Sequence, residues 1–300
     1  MSTINAKPIP ARIPSIDTEP KFPKTSNYTV YKPQPPQRVQ QAVLQVCSNG
    51  AFVSRCLRVI TRDGQSKNFE TITGQDGLTF GITDVASNGG VAEFMKIVEA
   101  KVPEIFREAF AGNADNLLNL AWIKANNGGG KGKEANDNGL IKFTWLRKGL
   151  DLILTNPKLQ AVQLENFRRG KVESSLTTFQ AKGYVQEFTL AAMIGIANSR
   201  GAGGMREDLE AAIGKVNNSG SVSEAEVAKV LLERYVSADP NPKPNDAELL
   251  QALFSNKDIP FESGLGHRAK RVFWLLKIFP PVQKKQFTTL GDFSLLKDGE

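Results

Sequence analysis

The residues best suited to chemistry in this chain are carboxylates in one short stretch: Asp63, Glu70, Asp76 and Asp84 fall within 22 positions. Cleavage of a glycosidic bond asks for such an inventory. A carboxylic acid held neutral protonates the leaving oxygen, while a second carboxylate, or a positioned water, works on the opposite face of the sugar. No cofactor is needed for that reaction. Rival chemistries lack their residues. His267 is the only histidine, so a two-histidine zinc site cannot form, and its basic run, His267-Arg268-Ala269-Lys270-Arg271, suits a solvated or structural role better than a triad base. Cys47 and Cys56 are the only cysteines and have no Cys-x-x-Cys partner. In the Gly-rich stretch 126–139, position 127 is Asn where a phosphate-binding P-loop needs its first glycine, and Glu134 follows Gly132-Lys133. Gly201-Ala202-Gly203 is followed by Arg206 where a dinucleotide fingerprint places its third glycine, so it reads as a turn.

The elements that must position these carboxylates are written in the hydrophobic period. VQQAVLQVCS and AFVSRCLRVITRD space apolar residues three and four apart, as helices do. The period then changes to two in Phe69-Glu70-Thr71-Ile72-Thr73 and Leu78-Thr79-Phe80-Gly81-Ile82, on either side of Gly74-Gln75-Asp76-Gly77, and Asp-Gly is a hairpin-turn signal. After Ser87-Asn88-Gly89-Gly90 the helical period returns in VAEFMKIVEAKVPEIFREAF, DNLLNLAWIKA, LIKFTWLRKGLDLIL and KLQAVQLENFRRGKV. FTLAAMIGIAN is apolar on every face, which predicts a central buried helix. MREDLEAAIGKV, SVSEAEVAKVLLERYV, DAELLQALF and HRAKRVFWLLKIF complete the helical set, with Ser223 and Glu226 spaced for a capping box. Trp122, Trp145 and Trp274 sit among apolar neighbours and read as packing residues. The polar, glycine-rich 126–139 reads as a mobile loop.

Eight of the sixteen prolines lie in residues 1–37, where neither helix nor central strand could persist. The expected organisation is a Pro-rich flexible leader over 1–38 and a mainly helical domain over 39–300, with 240–300 as a C-terminal helical extension. Cys47 and Cys56 on one continuous helix would stand roughly 13 Å apart, beyond the disulfide limit of about 7 Å. Ser48-Asn49-Gly50 could break that helix, so two buried thiols and a bridge both stay open.

The net charge is +7, from 38 Lys and Arg against 31 Asp and Glu; the first 40 residues hold six and two of these, leaving 32 against 29. The basic residues are scattered among acids, with no basic stripe interleaved with aromatics, which argues against nucleic acid as the partner. A mildly cationic surface suits an anionic polymer and repels a polycation. The N-terminus lacks the apolar core of a Sec signal peptide, and no run approaches the length of a membrane span, so export to another cell's periplasm or wall is expected by a leaderless route, with a cytoplasmic location otherwise.

Phe69-Glu70-Thr71 followed by Asp76-Gly77-Leu78-Thr79-Phe80-Gly81-Ile82 resembles the lysozyme-like superfamily, which includes phage-type lysozymes, chitosanases and cell-wall-degrading bacterial effectors. Lys182-Gly183, the run Phe188 to Asn198 and Ser199-Arg200-Gly201-Ala202-Gly203-Gly204 form a second match, and the likeness spans about residues 40–215. It implies a lysozyme-like helical domain with one small β-hairpin at the active site, and a muramidase-type hydrolase of peptidoglycan glycan strands needing no metal or cofactor. It also implies a secretion machine or an immunity protein as further partners. Glu70 takes the place of the catalytic glutamate, and Thr79 and Gly81 fall on the strand lining the cleft. Asp76 or Asp84, with Thr79, would position the attacking water, while Gly81 and Arg200 would meet the glycan.

Each residue also has a plainer role. Glu70 could be a solvent-facing strand residue, Asp76 a turn former, Thr79 an ordinary strand residue, Asp84 a cap and Arg200 a solvated cation. A second register places Asp63 at the catalytic position.

Overall fold

A computed structural model describes residues 51–61, 69–73, 77–83, 85–86, 90–127, 139–218, 223–252 and 264–279. The Pro-rich leader, the helical run before position 51, Cys47, Asp63, Asp76, Asp84 and the loop 128–138 lie outside the described residues.

The apolar spacing of AFVSRCLRVIT produces helix α1 (Ala51–Thr61), which buries Phe52, Val53, Cys56, Leu57, Val59 and Ile60. The Cys56 side chain is part of that buried face. Three short strands follow, β1 (Ile72–Thr73), β2 (Thr79–Phe80) and β3 (Val85–Ala86), paired antiparallel in that order. Ile72 faces Phe80 and Thr79 faces Ala86 across the ladder. The hairpin foreseen in the sequence is thus present, with each strand only two residues long and a third strand added. Val85-Ala86 is too short to show alternation.

From there the chain is helical: α2 (Gly90–Lys101), α3 (Pro103–Ala109), α4 (Ala114–Leu118), α5 (Leu120–Asn126), a 3₁₀ turn over Leu140–Lys142, α6 (Thr144–Leu154) and α7 (Pro157–Phe167). Local chemistry fixes their starts. The Asn119 side chain accepts from the Ala121 and Trp122 amides to open α5. Asn156 accepts from Lys158, with Pro157 at the first helical position of α7. Helix α7 passes without a break into a π-helical segment, Arg168–Glu173, and then α8 (Ser174–Ala181). The remaining helices are α9 (Glu187–Asn218), α10 (Glu224–Ser237), α11 (Asn245–Ala252) and α12 (His267–Ile278). Ser223 accepts from the Glu226 amide at the start of α10, the nearer half of the expected capping box. The turn expected after the buried helix is a kink at Gly201 (φ 74°, ψ 166°), beyond which α9 resumes.

Two apolar cores organise these elements. The sheet lobe packs Leu78, Phe80 and Val85 of the sheet on Val91, Phe94 and Met95 of α2, and extends through α3 to α6 and the first half of α7. The Phe80 and Phe94 rings meet edge to face at 5.4 Å. The helical lobe surrounds α9, whose residues Phe188 to Asn198 are all buried, with α1, α8, α10, α11 and α12. Phe52 of α1 meets Phe279, just past α12, at 5.6 Å, and Arg55 pairs with Glu187 at 2.8 Å. Each fully buried large apolar side chain contributes about 1.5–3 kcal/mol of transfer free energy. Trp122 and Trp145 pack partly buried against the sheet-lobe core and Trp274 against the helical one, as packing residues should. Among the described residues no helix is long and apolar enough to cross a membrane.

Candidate active site

Among the described residues, the chain goes from one lobe to the other at two places, and Glu70 stands at one of them. Helix α1 ends in the helical-lobe core, and at Phe69-Glu70 the chain arrives at the sheet. The second passage is α7 and its π-helical continuation, where Leu159 and Val162 belong to the sheet-lobe core and Phe167 and Val172 to the other. Glu70 is exposed, whereas Phe69 and Thr71 on either side are half-buried. The Glu70 carboxylate is thus open to solvent where the chain enters the sheet lobe.

The two passages are joined by Gln163 of α7, which is 0% exposed. Its Nε2 donates to the Phe69 carbonyl at 3.1 Å, and its Oε1 accepts from the Ile82 amide at 3.0 Å. The amide of Gly81 donates to the Thr71 carbonyl at 2.8 Å, which ties the same stretch from the sheet side. Gly81 has φ +75°, and a Cβ there would stand 2.3 Å from the Gln163 Oε1. Only glycine offers both the left-handed backbone and that room. The Gly81 foreseen as lining the cleft is therefore buried, and its absent side chain leaves the space that the Gln163 amide occupies. Thr79 is also buried, at 5% exposure, in the central strand β2.

Next to Asp76 the backbone is equally close-packed. A Cβ on Gly77 (φ +86°) would fall 2.2 Å from Asn127 Oδ1, and one on Gly139 would fall 2.2 Å from Gly77 Cα. Asn127 and Gly139 are the two ends of the glycine-rich loop, so both of its stems converge on the hairpin turn.

Among the described residues, the contacts of Arg200 lie elsewhere. It forms an ion pair with Asp208 of its own helix, whose side chain is 5% exposed and which Arg234 approaches to 3.9 Å. Three groups that sequence reasoning passed over also emerge on the bridging helix. Gln163 is one; the stripe Gln160, Gln163, Phe167 at helical spacing is buried throughout, a signal that was readable had polar residues been allowed on the apolar face. Glu165, with its side chain 2% exposed, pairs with Lys101 of α2 at 2.5 Å, and its Oε1 has no hydrogen-bond partner. Glu173, at the end of the π segment, has its carboxyl pKa raised by burial, against the lowering pull of Arg168 and Arg169. Among the described residues no cluster of His, Cys, Asp and Glu could hold a metal ion.

No family model matches the chain, and no curated protein matches it. The fold does have a solved counterpart. It is similar to the GH46 chitosanase of Gynuella sunshinyii, determined as a complex with chitotetraose, with a TM-score of 0.52 over 84% of this chain and 92% of that chain. At 14% identity the likeness is one of fold. It covers more of the chain than the 40–215 in which the sequence resembles the lysozyme-like superfamily. The mainly helical, lysozyme-like architecture with its small sheet is thereby shown, at a coarse level, for this chain.

Proposed function

We propose that this protein is a lysozyme-like glycoside hydrolase that cleaves the glycan backbone of bacterial peptidoglycan. The observation that carries the reading is the exposed Glu70 at the junction of the two lobes, its neighbouring backbone held by Gln163, on a fold shared with a glycan hydrolase. Glu70 is the general acid, protonating the glycosidic oxygen as the bond to the anomeric carbon breaks. Asp76 or Asp84, with Thr79, positions the water that attacks from the opposite face, giving inversion where the two carboxyl groups are more than about 6.5 Å apart. In this reading Arg200 is the glycan contact, while the buried Gly81 shapes the site from within by leaving room for Gln163. The near-neutral to mildly basic balance beyond the first 40 residues, 32 basic against 29 acidic, favours a polymer that is not itself cationic.

A second reading takes chitosan as the substrate, because the solved counterpart is a chitosanase bound to chitotetraose. Incubating the full chain with isolated cell walls and, separately, with soluble chitosan distinguishes the two. Release of muropeptides with falling turbidity supports the first reading; release of glucosamine oligomers alone replaces it with the second. No product from either substrate means that the scaffold serves as a binding module.

A further inference from the structure

Gln163 is a polar residue where packing alone would ask for a leucine. An amide left unsatisfied at full burial is strongly destabilising, and the fold satisfies this one from two separate segments of the candidate site. Only one orientation of the amide works, because the Ile82 N–H is a donor and the Phe69 carbonyl an acceptor. The Phe69 carbonyl belongs to the peptide unit whose nitrogen is Glu70's. That unit is planar, so holding its oxygen fixes the plane from which the Glu70 Cα and side chain project. Thr71, on the other side of Glu70, is held through its carbonyl by the Gly81 amide. The residue that bears the exposed carboxylate therefore sits between two anchored carbonyls, one of them anchored to the helix that joins the lobes.

We propose that Gln163 is a positioning residue for Glu70, acting through the Phe69 peptide and through the Gly81-Ile82 turn; this rests on the hydrolase reading. The helix is a stiff support, since Leu159 and Val162 on one side of Gln163 and Phe167 on the other lock it into both cores. General acid catalysis is sensitive to such placement, because a displacement of about 1 Å can cost about 100-fold in rate. Gly81 is the necessary companion: any larger residue would push the Gln163 amide off the Ile82 N–H.

The test compares the wild-type full chain with Gln163→Glu and Gln163→Leu, measuring kcat and KM on cell walls and chitosan from about pH 4 to about pH 8. A protonated glutamic acid can donate to the Phe69 carbonyl and accept from Ile82, whereas an ionised one cannot donate. Gln163→Glu is expected to lose at least tenfold in kcat at neutral pH, with KM within twofold, and to approach wild type as the pH falls through the carboxyl range. Gln163→Leu is expected to show that loss at every pH. Folded variants with wild-type kcat throughout, differing only in melting temperature, would overturn the proposal.

Amide hydrogen exchange keeps the inference separate from the hydrolase reading. Wild-type inactivity on both glycans removes that reading. Tenfold faster exchange at Ile82 and Gly81 in Gln163→Leu, with α9 unchanged, then still upholds the clamp on the Glu70 backbone, and unchanged exchange overturns it as well.

Discussion

The two lobes differ in what they bring to the candidate site. The helical lobe closes around an apolar run, Phe188 to Ala197 of α9, broken only by the buried Thr189, and its polar ties, such as Arg55 to Glu187 and Arg271 to the Gly195 carbonyl, bind its helices to one another. The sheet lobe has only two-residue strands, and where it faces the lobe junction it depends on polar ties: Gln163 to Phe69 and Ile82, and Lys101 to Glu165. An apolar core tolerates displacement of one surface loop, whereas polar ties with defined donors and acceptors specify a geometry. Specified geometry is what a pair of reacting groups needs, and the candidate site lies on that side.

Breaking the apolar lobe should show in stability. Ile194→Ala, at a fully buried position of α9, is expected to lose about 2–5 kcal/mol in urea denaturation, with glycan cleavage per folded molecule unchanged. A comparable loss of activity in the folded fraction would show that the lobes do not divide labour as described. Lys101→Met leaves the buried Glu165 carboxylate without its cation. Removing a partner of a buried pair costs up to about 3–5 kcal/mol, and since Lys101 is 31% exposed, solvent screening brings the expectation down to about 2 kcal/mol. Gly81→Ala forces a Cβ into the left-handed region, at about 1–2 kcal/mol, and into contact with the Gln163 Oε1. Here the sharper readout is activity, which should fall further than the loss of stability accounts for.

The smallest effect depends on pH. Burial raises the folded-state pKa of Glu173, so the fold binds that proton more tightly than the unfolded chain does. The associated stability is complete below the unfolded pKa and is lost as the pH rises through the folded one. Glu173→Gln is therefore expected to raise the melting temperature slightly at neutral pH and to match wild type in acid. A decrease at neutral pH would mean that the attraction of Arg168 and Arg169 for the ionised carboxylate outweighs its burial.

How far the sequence discloses this contrast follows from the same physics. Apolar periodicity is a local signal, so α1, the all-apolar centre of α9 and the amphipathic α10 and α12 were legible, as was the change of period at the hairpin. The β3 strand was not, since two residues carry no period, and neither was α8, into which the helix read as far as Val172 continues, because SSLTTFQA holds too few apolar residues to show a helical period. At the site, Glu70 and Gly81 were readable as residue types in a familiar order. What Gly81 makes room for was not, because Gln163 lies 82 positions away in sequence and the tie exists only once the chain has folded back.

The central claim is that the Glu70 carboxyl does the chemistry from a backbone held in place between the lobes. It is tested most directly by time courses of reducing-end release from isolated cell walls and soluble chitosan with wild type and Glu70→Gln, which removes the proton donor while keeping the shape. The account predicts native folding of the variant with release reduced to background. Release by Glu70→Gln at the wild-type rate would contradict it and move the acid to another carboxylate.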